Sequence, residues 1–131
     1  MILLDTPALV WLAAEPDRLS ADAQAAIRGA GSSGGLAVAS ITVWELAMLL
    51  AAGRIRAPGT IESGIRLILE RTGASVREAT VAIAALASEL PEEFPKDPAD
   101  RLIAATAMVE GLPLVTSNER IRAHARVRAI W

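Results

Sequence analysis

Cysteine is missing from this chain of 131 residues, and histidine occurs once, at His124. Without thiols there is no disulfide, no thiolate metal site and no cysteine nucleophile. Nothing in the sequence sets His124 beside an acid, so a histidine general base is not expected. Charge is sparse as well, at 21% of residues with a net −2. A field of that sign does not attract nucleic acid, so an anionic ligand would need a local basic patch or a bound cation. The N-terminus lacks the basic segment of a signal peptide and carries Asp5 early. No apolar run approaches the ~20 residues that cross a bilayer. A soluble, cytoplasmic protein without a membrane partner is the expectation.

Apolar residues are plentiful, at 53% of the chain, above the usual share for soluble domains. Much of the surplus is alanine, which points to tight helix packing and to a subunit or partner interface. The length suits one domain, residues 1–131, with its own hydrophobic core.

The stretch Met1-Ile2-Leu3-Leu4-Asp5-Thr6 organises the rest. A short apolar run bounded by turn chemistry reads as a buried strand of a parallel sheet. Thr6 is suited to cap a helix with Pro7 at its first position, since proline has no N–H to leave unpaired there. Asp5 then stands at the carboxyl end of a strand, the edge at which open α/β sheets bind ligands. An acid there can equally serve only the helix dipole.

Further along, Ser20 caps a helix over Ala21–Arg28, and Gly29 to Gly35 is a connection. The glycines there do not form a phosphate loop, because no Lys-Ser or Lys-Thr follows and a strand comes next. Leu36–Ala39 is a second buried strand, and the helix after it runs to Ala52. Thr42-x-x-Glu45 reads as a capping box. Thr60–Arg71 is a helix, Ser75–Glu78 a strand and Thr80–Leu90 an alanine-rich helix. After the loop Pro91–Pro95, Asp97 serves as N-cap with Pro98 as the first helical residue, which puts Asp100 in the first turn. Leu112–Val115 and Val127–Ile130 complete the strands, with a short helix opening at Thr116-Ser117-Asn118-Glu119 between them. Strands alternating with helices predict an α/β fold, a mostly parallel sheet of about five strands with helices on both faces.

Asp5, Glu45 and Asp100 recur in one setting, the start of a helix on the strand-end side, and Asn118 holds a fourth such position. Carboxylates converging in a cleft repel one another unless a cation neutralises them, and oxygen donors suit Mg²⁺ or Mn²⁺. Such a cluster can activate water against a phosphodiester. Each acid also has a capping explanation of its own. Arg120, Arg122, Arg126 and Arg128 form a basic tail that can contact RNA phosphates or simply be solvated. Thr6, Thr116 and Ser117 can orient ligands or waters. Trp11, Trp44 and Trp131 sit in apolar contexts and read as packing residues.

Four segments, LLDTPALVWL, ASITVWELAML, KDPADRLIAATAM and GLPLVTSNERI, give the chain a resemblance over nearly its full length to PIN-domain ribonucleases, specifically the toxin subunits of type II toxin–antitoxin pairs, the VapC group. The resemblance implies a three-layer PIN-like fold and a Mg²⁺- or Mn²⁺-dependent endoribonuclease. It also implies an RNA substrate, a cognate antitoxin as partner, and pairing into a homodimer. It places Asp5, Glu45 and Asp100 as the catalytic metal-site acids, with Asp97 an extra acid of the subgroup carrying the DPxDR pattern. The family's usual aspartate is Asn118 here, which offers a carbonyl oxygen but no charge, and the adjacent Glu119 is a candidate substitute. Pro95 and Lys96 replace a histidine and an arginine, and Ala99 an aromatic. These departures keep open an alternative, a catalytically weakened PIN domain that binds RNA or its antitoxin. A phospho-receiver domain is disfavoured by Thr6 and by the lysine-free LPLVTSN segment. A DxDxT phosphatase is disfavoured by Pro7.

Overall fold

The computed structural model describes residues 1–131. Strand β1 (Ile2–Leu4) leads into α1 (Thr6–Ala14), a 3₁₀ turn (Pro16–Arg18) and α2 (Ala21–Gly29). A second 3₁₀ turn (Ala30–Ser33) precedes β2 (Leu36–Ala39), α3 (Ser40–Ala51) and α4 (Ile61–Thr72). Then follow β3 (Ser75–Arg77), α5 (Val81–Glu89), α6 (Pro98–Glu110), β4 (Leu114–Val115), α7 (Glu119–Arg122) and β5 (Ala129–Ile130). The strands form one sheet in the order β3-β2-β1-β4-β5, and every neighbouring pair is parallel. The expected α/β architecture is therefore present, with the sheet parallel throughout.

Strand alternation divides the core, because successive side chains leave a strand on opposite faces. Ile2, Leu4, Val38 and Val115 face one layer, with Leu9 of α1, Ala23 of α2, Leu46 of α3 and Ile68 of α4. Leu3, Ala37, Ala39 and Leu114 face the other, with Phe94, Ile103 and Ala107 near and on α6 and Ile121 on α7. Helix α5 packs outside, through Ile83 and Ala87 against Ala105 of α6. The alanines let helix and sheet approach closely, as the composition suggested. No helix is long and apolar enough to cross a membrane.

The all-parallel pairing sends every carboxyl strand end to one edge. β1 lies at the sheet's centre, where the order reverses and the chain runs off to β2 on one side and β4 on the other. Register pairs Leu4 with both Val38 and Val115, so the residues that follow those strands gather at this crevice.

Two helix starts differ from the sequence reading. Asp5, not Thr6, caps α1, and Thr6 is already the first helical residue. Helix α3 begins at Ser40 with no side-chain cap on its N-cap residue, Ala39, so Thr42 lies inside the helix and there is no capping box with Glu45. In both cases the local rule assigned a hydroxyl to a backbone N–H, and tertiary packing gave it a partner on another element.

Candidate functional site

Asp5 is only 6% exposed. Its Oδ1 accepts a hydrogen bond from the Ala8 N–H at 2.9 Å, which closes the first turn of α1. Burial pushes its carboxyl up from 3.8 to about 6, against the opposing pull of the Thr116 hydroxyl and the Ala8 amide, and the nearby Glu45 charge pushes the same way as burial. Asp5 thus caps α1 from a position at the carboxyl end of β1.

Glu45 stands one turn into α3, and its Oε1 accepts from the Thr6 hydroxyl at 2.5 Å. Thr6 Oγ1 also lies 3.0 Å from Thr42 Oγ1. A threonine hydroxyl has one proton, so with the Thr6 proton given to Glu45, Thr42 donates to Thr6. The relay joins α1 to α3 beneath the crevice. Burial raises the Glu45 carboxyl above its ordinary value, the Thr6 hydrogen bond opposes this, and the Asp97 charge adds to the rise. Thr6→Val is expected to cost about 1–3 kcal/mol of stability, because the buried Thr42 hydroxyl loses its acceptor. Thr6→Ser should recover most of that loss. Urea melts of the two variants check it.

Asp97 and Asp100 open α6. Asp97 caps it through Oδ1 to the Ala99 N–H at 2.8 Å, and Asp100 lies in its first turn, as the sequence predicts. Burial raises the Asp100 carboxyl from 3.8 to about 6, with Asp97, Glu45 and Asp5 each adding repulsion. The next residue, Arg101, is turned away from these acids. Its guanidinium donates to the carbonyls of Pro95, Leu90 and Pro91 at 2.9, 2.9 and 3.1 Å, and more distantly to that of Ala87. Arg101 therefore ties the loop before Asp97 onto α6, a role for which the sequence carried no local signal.

The fourth position is filled differently from the acids. Asn118 caps α7, and its Oδ1 accepts from both the Arg120 and the Ile121 N–H, at 3.0 and 3.2 Å. Both carbonyl lone-pair directions are thereby used, and the remaining polar atom, Nδ2, is a donor. Thr116 is fully buried at the end of β4 and accepts from the Asn118 N–H. Ser117 follows it without capping α7, and Glu119 is exposed in the first turn of that helix.

The basic tail divides. Arg120 donates to the Glu93 carbonyl at 3.0 Å and Arg128 to the Gly111 carbonyl, so both are engaged with backbone. Arg122 and Arg126 are exposed. His124 accepts from the Arg126 N–H and meets Phe94 edge-on, a packing role.

Asp5, Glu45, Asp97 and Asp100 thus sense one another's charge at the carboxyl edge of the sheet. None of them takes part in an ion pair; those in the molecule join Arg18 to Glu15, Arg66 to Glu62 and Arg77 to Glu110. As placed, no three acid or histidine side chains close on a common point at metal-binding distance. The group is a set of uncompensated oxygen donors across a crevice rather than a finished cage.

A parallel α/β sheet with acids gathered at its central switch point is the arrangement of the PIN domain. The model of that family matches residues 2–127, and the chain belongs to it. Ribonuclease VapC22 of Mycobacterium tuberculosis is 42% identical over 131 residues, covering 98% of this chain and 95% of that protein. Among solved structures, VapBC2 from Rickettsia felis, bound to a DNA fragment from its promoter, superposes with a TM-score of 0.73 at 19% identity, covering 98% of this chain and 97% of that one. DNA-bound VapBC from Salmonella typhimurium gives 0.71 at 22% identity with the same coverage of both chains. At these identities the two structures speak for the fold.

Proposed function

We propose that the protein is a divalent-cation-dependent endoribonuclease that hydrolyses RNA phosphodiester bonds and is held in check by a cognate antitoxin. The observation that carries this reading is the group of four carboxylates without a basic partner, three of them with raised pKa values. Burying like charges together without compensation is costly unless a cation joins them. The likeness to Ribonuclease VapC22 and to VapBC complexes supplies the substrate class and the kind of partner.

The donor set suits Mg²⁺ or Mn²⁺, being all oxygen and anionic. Asp5, Glu45 and Asp100 would hold the ion, with Asp97 and Glu119 adding negative potential nearby. A cation held there would supply Lewis acidity toward a phosphoryl oxygen and toward a water nucleophile. The protein's own part is positional: the cap on Ala8 fixes Asp5, the Thr6–Thr42 relay fixes Glu45, and the Arg101 tether fixes the segment that carries Asp97. Pairing into a homodimer belongs to the same reading, supported by Trp44 and Val81, which stand 58% and 90% exposed.

Asn118 favours a second reading, a weakened enzyme that acts by binding, because its carbonyl is committed to the α7 cap. Incubation with RNA separates the two. Cleavage should require Mg²⁺ or Mn²⁺, stop with chelator, and fall by about a hundredfold or more in Asp100→Asn, the loss of several kcal/mol of charge stabilisation. RNA that is bound but uncut by the parent at saturating cation would establish the second reading.

A further inference from the structure

We propose that Lys96 is a substrate-binding residue, whose ammonium takes an RNA phosphate beside the scissile one at the rim of the acid group. This rests on the ribonuclease reading and adds to it a positive contact at the edge of an otherwise anionic site. Lys96 is the only lysine of the chain; it is exposed and stands directly before Asp97. The charge of Asp97 in turn reaches both Glu45 and Asp100.

Freedom from partners does not single Lys96 out, since Arg28, Arg122 and Arg126 also stand outside every ion pair. What separates it is how its backbone is held. The connection between α5 and α6 has no regular structure, yet guanidiniums fasten it along its length. Arg101 donates to the carbonyls of Leu90, Pro91 and Pro95 at 2.9, 3.1 and 2.9 Å, and Arg120 to that of Glu93 at 3.0 Å. Phe94 is 1% exposed, in the cluster that holds Ile103 and Ile121. Asp97 is fixed to the start of α6 by the Ala99 amide at 2.8 Å. Lys96 therefore sits between two anchored residues, the buried Pro95 and the capping Asp97. These tethers would hold Asp97 whatever residue stood at 96. A lysine there turns the same fixed backbone into a placed charge, on a flexible stem with three donors.

RNA approaching four carboxylates is repelled, and a cation at the acid group answers only the phosphate that it binds. The neighbouring phosphate needs a partner of its own. Arg101 and Arg120, the arginines closest in sequence to Asp100 and Asn118, are committed to the loop carbonyls. The charges acting on Asp5, Glu45 and Asp100 are all carboxylates, so Lys96 is not spent on neutralising them. A lysine suits the remaining task, because it meets a phosphate as a point charge and reads no base.

The test measures binding of a fluorescent single-stranded RNA of about 12 nucleotides. The Asp100→Asn protein is compared with and without Lys96→Gln in the presence of Mg²⁺. Lys96→Arg serves as the rescue, and Arg28→Gln, in the last turn of α2, as the charge-matched control. Losing one single-strand phosphate contact should reduce the slope of log K against log salt by about 0.7 and weaken binding roughly 5- to 10-fold at low salt. Lys96→Arg should restore both, and Arg28→Gln should move neither by more than its general charge effect. With Asp100 intact and an RNA that the parent cuts, Lys96→Gln should raise KM by a similar factor. It should leave kcat within about twofold, as loss of uniform binding does, and leave Mg²⁺ affinity undiminished. Because the chain has no other lysine, the contact can also be read directly. RNA should slow acetylation of Lys96 several-fold, while the α-amine of Met1, before β1 at the other edge of the sheet, reacts unchanged. Unchanged slope, affinity and acetylation, while the parent still cuts RNA, would overturn the contact and leave the ribonuclease reading standing. Lys96→Arg as weak as Lys96→Gln, or kcat lost together with Mg²⁺ affinity, would overturn it too and make Lys96 part of the scaffold of α6. Protection of Lys96 by the co-purified antitoxin but not by RNA would overturn it and assign the lysine to the protein partner. A parent that neither binds nor cuts RNA would remove both readings.

Discussion

Asp5→Asn is expected to make the metal-free protein more stable near neutral pH, raising its melting temperature by roughly 5–10 °C. The Asp5 carboxyl titrates near 3.8 when unfolded and about 6 when folded. Between those values the folded state binds more protons than the unfolded one, so stability falls as pH rises through that window and levels off above it. A displacement of about two units corresponds to at most about 3 kcal/mol for this buried group, and about 2 kcal/mol is a sober expectation once relaxation is allowed. In a chain of this size that amounts to several degrees. Asparagine is as good an N-cap as aspartate, so the hydrogen bond from the Ala8 amide survives and the substitution removes only charge. Mg²⁺ should raise the melting temperature of the parent and leave Asp5→Asn nearly unmoved, while RNA cleavage is lost. Thermal melts in chelator from pH 4 to 8, repeated with Mg²⁺, read all of this. A variant that melts with or below the parent throughout would mean that the Asp5 charge is already compensated.

Asn118→Asp should act in the opposite sense on cation binding. In the wild type, Oδ1 is occupied by the Arg120 and Ile121 amides. An aspartate can keep both on one oxygen and offer the other, with its charge, to the crevice. Coulomb attraction at ~4 Å is about 4 kcal/mol at an effective dielectric near 20, and desolvation and repulsion from the other carboxylates offset much of it. The expected net is Mg²⁺ binding about tenfold tighter, or 1.4 kcal/mol, with a matching rise in cleavage at limiting Mg²⁺. Glu119→Gln and Asp97→Asn belong in the same titration. Should Asn118→Asp leave affinity flat while Glu119→Gln abolishes it, the fourth donor is Glu119 and position 118 is only a cap.

Much of this was legible in the sequence because the acids sit where local rules are strongest. A short apolar run ending in a carboxylate, followed by proline or a helix start, marks a strand end and a cap at once. The strand end at Asp5 and the Asp97-Pro98-x-Asp100 helix start were placed that way, although the cap of α1 was assigned to Thr6, and α6 begins where it was expected to begin. What escaped were partners that only the folded chain makes. Thr6 and Thr42 looked like caps, because in isolation a threonine hydroxyl has no better acceptor than a nearby backbone N–H. Folding brings the two hydroxyls together across 36 residues. The carbonyls that hold Arg101 and Arg120 belong to an irregular loop with no periodic signature.

The central position of β1 has a consequence for the order of events during synthesis. The strand that becomes the middle of the sheet leaves the ribosome before both of its neighbours, and one of these is β4, paired through Leu3 with Leu114 and Leu4 with Val115. Until β4 has emerged, one edge of β1 is unpaired and the Thr116 side of the Asp5 crevice does not exist. Asp100, too, enters only with α6, late in the chain. A nascent polypeptide therefore carries Asp5 and Glu45 long before it can bring them opposite Asp100 and Thr116. Long-range pairing of this kind is slow because its loop-closure cost comes before its reward. Assembly of the acid edge therefore waits until both α6 and β4 have emerged.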